Sequence, residues 1–269
     1  MLEYNIAYLS TVVKAFCKFC LRLFYIYFER KYIIMATKKN NTKKEFTMSR
    51  EEYIEFLSMK SNEIHMSTKN SKTGCGVIDL AFPVVTCRED APCKKSGKCY
   101  CLHGTQRMCN VLSAYYRNLR LYTNDPEDFW HQVWFKLAHC GLPKMRFFDA
   151  GDLPDYNFID GMVETAKKFP EMKFMAFTKK YFLVNQWIDN NGELPANLNI
   201  IFSAWDKNWK VLNPHHMPVA YVDFKDSELT PELPEKYQTC PNQKDKTITC
   251  SMCGKCWRKD LGAVVFKQH

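Results

Sequence analysis

Lys144-Met-Arg-Phe-Phe-Asp-Ala-Gly-Asp152 is a short apolar run that ends in an acidic, glycine-bearing turn. It reads as a buried strand, and the segments after it alternate between helix and strand. DYNFIDGMVETAKKF (155–169) is an amphipathic helix stopped by Pro170. KFMAFT (173–178) is a strand, KYFLVNQWIDNN (180–191) a helix, LNIIFSAWD (198–206) a strand and MPVAYVDF (217–224) another. Strands alternating with helices predict βαβ units on a parallel sheet. The expected fold is therefore α/β: a partial parallel (β/α) barrel, or an open parallel sheet flanked by helices. Parallel sheets place functional residues at the carboxyl ends of their strands. Those ends carry Asp149, Gly151 and Asp152, then Thr178 and Lys179, then Ser203 and Asp206.

Working outward on the amino-terminal side, SREEYIEFLSMKSNEIH (49–65) opens with Ser49 and has Glu52 three positions on. That is a capping box and predicts a short helix. VIDLAFPVV (77–85) reads as extended, residues 103–122 as a helix, and Asp125-Pro126 opens a further helix ending near Gly141 and Pro143. In AYYRNLRLY (114–122) the aromatics with Arg117 and Arg120 suit either base stacking or core packing, and helical spacing favours packing. The proline-punctuated stretch after residue 225 shows no such regularity. The reading gives three parts: an extension over 1–48, an α/β core over 49–225, and a cysteine-rich segment over 226–269.

Eight of the thirteen cysteines fall into two groups. Cys87, Cys93 and Cys99 are spaced C-x5-C-x5-C, and Cys101 follows. Cys240 precedes a proline, and Cys250, Cys253 and Cys256 form C-x2-C-x2-C. Thiolates so spaced reach a common point, as an iron–sulfur cluster or zinc requires. Three on one loop can bind three irons of a cubane and leave the fourth open, and Cys101 as a fourth ligand would close the site. The second group is saturated in either case, which suits a structural or electron-relaying metal-binding segment. Disulfide frameworks belong to short secreted chains, and this chain of 269 residues is neither short nor led by a convincing cleavable signal. Cys75, Cys109 and Cys140 are isolated and read as buried core thiols.

The net charge of +9 is compatible with nucleic acid or another anionic partner. Residues 1–34 are apolar and aromatic, but Lys14, Lys18 and Arg22 interrupt them. That argues against a membrane span. An over-extended start ahead of Met35 is favoured over a helix lying on a membrane surface. The lysine-rich tract 35–48 reads as a disordered arm.

With those residues in view, the chain resembles the phage gene-product-88 family, of unassigned biochemical role. The shared pattern is Thr86-Cys87, Cys93 and Cys99-Tyr100; Arg146 to Asp152; Phe177-Thr178-Lys179; Leu194-Pro195-Ala196-Asn197 with Ser203; and the terminal CxxCGxCW. It covers roughly residues 67 to 269. The same order of landmarks is similar to a reduced radical S-adenosylmethionine barrel. That similarity implies a cubane on the first cysteine loop. Gly151 and Asp152 would receive the methionyl amine, Thr178 and Lys179 would line the cosubstrate pocket, and Ser203 would approach the ribose. The superfamily's usual loop is CxxxCxxC, and its acidic residue is Glu, one methylene longer than Asp152.

Together these lines lead to an expectation: an iron–sulfur enzyme acting on a nucleic acid or nucleotide in the cytoplasm of a bacterial host. Asp149 and Asp152 are its candidate catalytic residues. Two further readings stand beside it. One is a zinc-stabilised nucleic-acid-binding or base-modifying protein. The other is a non-enzymatic accessory protein whose metals are structural.

Overall fold

In the computed structural model the described residues are 49–68, 70–224 and 228–268. The readings made for residues 1–48 lie outside them. Ser49–His269 forms one compact unit. No helix among the described residues is long and apolar enough to cross a membrane.

Helix α1 (Arg50–Met59) starts at the expected capping box: the Ser49 side chain accepts from Glu52 N–H, and the Glu52 carboxylate accepts from Ser49 N–H. Strands β1 (Met66–Ser67) and β2 (Val77–Leu80) come after it. Two long helices are next, α2 (Cys109–Asn124) and α3 (Pro126–Cys140). Asp125 caps α3 with Pro126 at its first position, and Gly141 ends it in the left-handed conformation. Then β3 (Lys144–Phe147), α4 (Asn157–Lys168), β4 (Lys173–Thr178), α5 (Tyr181–Asn191), β5 (Leu198–Ala204) and β6 (Val219–Asp223) alternate as the periodicity predicts. The tail adds two strands that its sequence does not signal: β7 (Gln238–Thr239) and β8 (Ala263–Lys267).

The eight strands form one sheet in the order β1-β2-β3-β4-β5-β6-β8-β7. β1 pairs antiparallel with β2, and every other pairing is parallel. The predicted α/β architecture is present, and the tail supplies a central strand of its later half.

The two faces of the sheet differ. Met145, Phe147, Phe174, Ala176, Leu198, Ile200 and Phe202 point to the helices and join Phe82, Phe129 and Phe158 in the main core. Gly161 lets α4 meet α3 closely, because a Cβ there would lie 2.0 Å from the Trp130 ring. The helix 114–122 resolves as packing: Tyr115 and Tyr122 are buried, and Arg120 donates to the carbonyls of Ser58 and Ser61.

The other face curls around a cavity. Phe177 on β4 and Phe266 on β8 have ring centroids 5.9 Å apart and planes at 80°. Three strand spacings separate β4 from β8, roughly 14 Å in a flat sheet. Side chains meeting across that interval make the face concave. The tail covers the amino-terminal ends of the strands. Trp257 Nε1 donates to Met145 O at 3.0 Å, and Asn199 Nδ2 donates to the carbonyls of Cys256 at 2.8 Å and Arg258 at 3.0 Å.

Candidate functional site

The cavity on the concave face has a volume of about 850 Å³. That is the scale of a small-molecule site. Its walls include Gly151, Asp152, Thr178, Lys179, Ser203 and all eight grouped cysteines. Residues from three strand ends, the first cysteine loop and the tail therefore face one space.

The turn after β3 sets the acidic residue. Phe148 takes a positive φ of 60° and Gly151 one of 79°. A Cβ on Gly151 would lie 2.6 Å from Phe82 O and 2.7 Å from Thr86 Oγ1, so only glycine fits this close approach. Thr86 Oγ1 accepts from Asp152 N–H at 2.9 Å, which aims the next side chain inward. The Asp152 carboxylate accepts from Thr178 Oγ1 at 2.6 Å, Leu153 N–H at 2.8 Å and Lys179 N–H at 2.9 Å. Burial pushes this carboxyl above the usual aspartate range, and those donors hold it back. A carboxylate offers about four lone-pair positions, so three bonds leave one for a ligand.

Asp149 has a different place. It does not line the cavity; its carboxylate pairs with Arg146 at 3.1 Å. Burial works against the Arg146 charge, and the Asp149 and Asp79 carboxylates counter it, so the guanidinium stays charged. Asp149 is thus a partner of a buried arginine, one turn away from the carboxylate that faces the cavity. Ser203 lines the wall, and its carbonyl accepts from Tyr181 O–H. Lys180, unlike Lys179, turns its amine to Pro154 O at 3.2 Å.

The first cysteine loop folds over the carboxyl ends of the strands. Pro92 opens a one-turn helix (Pro92–Lys95), and Tyr100 O–H donates to Asp149 O. Cys93, Cys99 and Cys101 are buried with Ala81, Ala91, Ala150 and Tyr115. Their thiols are close enough to shift one another's proton affinity, Cys93 with Cys99 and Cys99 with Cys101. Burial lifts the Cys87 thiol to about 12. The Cys101 thiol is lowered, first by the neighbouring Cys99 thiol.

The second group lies near the opposite strand ends. Cys250 N–H donates to Lys72 O at 3.0 Å and begins a one-turn helix (Cys250–Cys253). Burial, then the neighbouring Cys250, Cys240 and Cys253, lifts the Cys256 thiol to about 12. The Cys256 thiol is thus within electrostatic reach of the other three sulfurs.

Among the described residues no three His, Cys, Asp or Glu side chains stand in an arrangement that holds a metal ion. The sulfurs are gathered without converging on a coordination geometry. The donor chemistry nonetheless suits a thiophilic metal: two sets of four thiols, unpaired in any disulfide, line one cavity. Of the three isolated cysteines, Cys75 is exposed and Cys109 and Cys140 are half-buried, which corrects the expectation of buried core thiols.

Sequence reading missed part of the lining. Lys72, Lys98, Trp205, Trp257 and Phe266 face the cavity, as do Arg146 and Phe177, which the shared pattern included without giving them a role. Arg146 carried a legible signal, an arginine inside an apolar strand.

No curated protein matches the chain, and neither does any solved structure. A family model described as Gene product 88 matches residues 35–259, which takes in the strand-end turns and both cysteine groups. The chain belongs to the gene product 88 family.

Proposed function

We propose that this protein is an iron–sulfur enzyme that binds and reductively cleaves S-adenosylmethionine, acting on a nucleotide-sized substrate. One observation carries the reading. Gly151, Asp152, Thr178, Lys179 and Ser203 share a single cavity with both cysteine groups on the concave face of a parallel sheet. Cys87, Cys93 and Cys99 would hold a cubane with an open iron, with Cys101 beside them as a reserve thiol. Cys240, Cys250, Cys253 and Cys256 would hold a saturated second centre, either a cluster or zinc. A bound cubane supplies one-electron reduction of the cosubstrate.

The remaining roles fall to the chain's own residues. Asp152 offers its remaining acceptor position to an ammonium group, and the fixed donors from Thr178, Leu153 and Lys179 keep it oriented. Ser203 presents a hydroxyl to a sugar edge. The curled sheet and the tail enclose the ligand and limit water. Grouped free thiols fit a reducing compartment, so we place the protein in the cytoplasm of a bacterial host.

The test is incubation of anaerobically purified, reduced protein with S-adenosylmethionine, followed by mass spectrometry. Formation of 5′-deoxyadenosine and methionine supports the reading, and Asp152→Asn should weaken cosubstrate binding at least tenfold. Iron-replete protein that neither binds nor cleaves the cosubstrate would overturn it.

A further inference from the structure

The cavity wall carries six cationic side chains (Lys72, Lys98, Arg146, Lys179, Lys255 and Lys267) against one carboxylate, Asp152. Two of the cations form a built station. Lys72 Nζ stands 5.7 Å from the centroid of Phe266, and Arg146 Cζ 5.7 Å from that of Phe177. Those two rings are the edge-to-face pair that spans the curl. Aromatic faces hold cations without neutralising them.

Neither cation is fully satisfied. Arg146 is 9% exposed, yet its Nε has no partner among the described residues. Asp149 takes one side of the guanidinium. The Lys72 amine has no hydrogen bond or carboxylate partner among the described residues. Arg146 has Asp149 on one side only and Lys72 has no carboxylate partner among the described residues, so both can take a further anion from the cavity. Asp79 stands opposite Arg146 across the β2–β3 pair and accepts from Thr73 Oγ1 at 2.7 Å, but it does not line the cavity.

We infer that Lys72 and Arg146 seat the phosphate of the substrate, a mononucleotide or the terminal nucleotide of a strand. This rests on the enzymatic reading above and names that site's substrate class. A point-charge ammonium and a guanidinium fork together match a dianion better than a monoanionic carboxylate. A cavity of about 850 Å³ admits one nucleotide and excludes a duplex.

The experiment measures equilibrium binding of AMP, adenosine, orotate and a short 5′-phosphorylated oligonucleotide to the full chain by calorimetry. Wild type, Lys72→Met and Lys173→Met are compared, the last altering an exposed lysine outside the cavity. Iron, sulfide and zinc are quantified in each. AMP should bind at least tenfold more tightly than adenosine or orotate, and added salt should weaken it. Lys72→Met should remove that advantage at unchanged metal content and melting temperature, and Lys173→Met should keep it. The oligonucleotide arm assigns the phosphate to a strand end if it competes with AMP, and to a free nucleotide if it does not.

Equal affinity for AMP and adenosine overturns the inference, as does preference for orotate. So does a Lys72→Met protein that loses metal while AMP affinity stays within twofold, because Lys72 would then serve the second cysteine group. Phosphate binding is read without turnover, so failure of cosubstrate cleavage is seen separately.

Discussion

Thr178 at the end of β4 donates its hydroxyl to the Asp152 carboxylate at 2.6 Å, joining two strand ends of the parallel sheet inside the cavity. The same oxygen accepts from Lys180 N–H at 2.9 Å, so one hydroxyl fixes both the acidic residue and the turn into α5. Thr178→Val keeps the shape and removes both bonds. It should cost about 1–3 kcal/mol in chemical denaturation, the range for stranding a buried polar group. It should also raise the Asp152 pKa further, since a donor to the charged form is lost. An unchanged denaturation midpoint would show that the bond is not formed in solution.

Gly151 occupies a left-handed conformation against the Phe82 carbonyl. Gly151→Ala adds a methyl where backbone already stands. It should destabilise the protein by about 2–4 kcal/mol, combining left-handed strain with overpacking. Thermal unfolding gives the check. A melting temperature within one degree of wild type would mean that the turn is free to move.

Asp79 sets a pH dependence. Burial raises its carboxyl from 3.8 to about 6. The folded state then holds this proton more tightly than the unfolded state. Its contribution is fully present below 3.8 and is lost as pH rises through about 6. Asp79→Asn has no such loss, so its stability relative to wild type should grow between pH 4 and pH 7 by up to about 3 kcal/mol. Parallel pH profiles for the two proteins would refute the burial argument.

Much of the fold was legible because period-2 and period-3.6 runs alternate cleanly from Lys144 to Asp223. The capping box at Ser49 and the Asp125-Pro126 start were also local signals, and both elements begin where those signals stand. Strand β8 was missed because AVVFK is only five residues long and comes after a cysteine-rich stretch without periodicity. Its place between β6 and β7 is decided by long-range pairing, which no local pattern encodes. The start of α2 at Cys109, later than the apolar spacing suggested, reflects the short 3₁₀ turn Gly104–Arg107 ahead of it.

The candidate site was legible in its strand-end residues and its cysteines, because residue type and position relative to a strand suffice to find them. Asp149 and Asp152 looked equivalent in sequence, and the left-handed Gly151 between them sends one to Arg146 and the other to the cavity. Lys72 and Phe266 were not legible, since they meet only when the sheet curls.

The central proposal is that the first cysteine group binds iron and sulfide. The most direct measurement is iron, sulfide and zinc content with absorption and electron paramagnetic resonance spectra, on protein purified without oxygen. Wild type is compared with a Cys87/Cys93/Cys99→Ser variant and a Cys250/Cys253/Cys256→Ser variant. The account predicts iron and sulfide in near-equal amounts in wild type, and loss from the first variant of the cluster whose spectrum responds to S-adenosylmethionine. Zinc without iron, or iron unchanged in both variants, would contradict it.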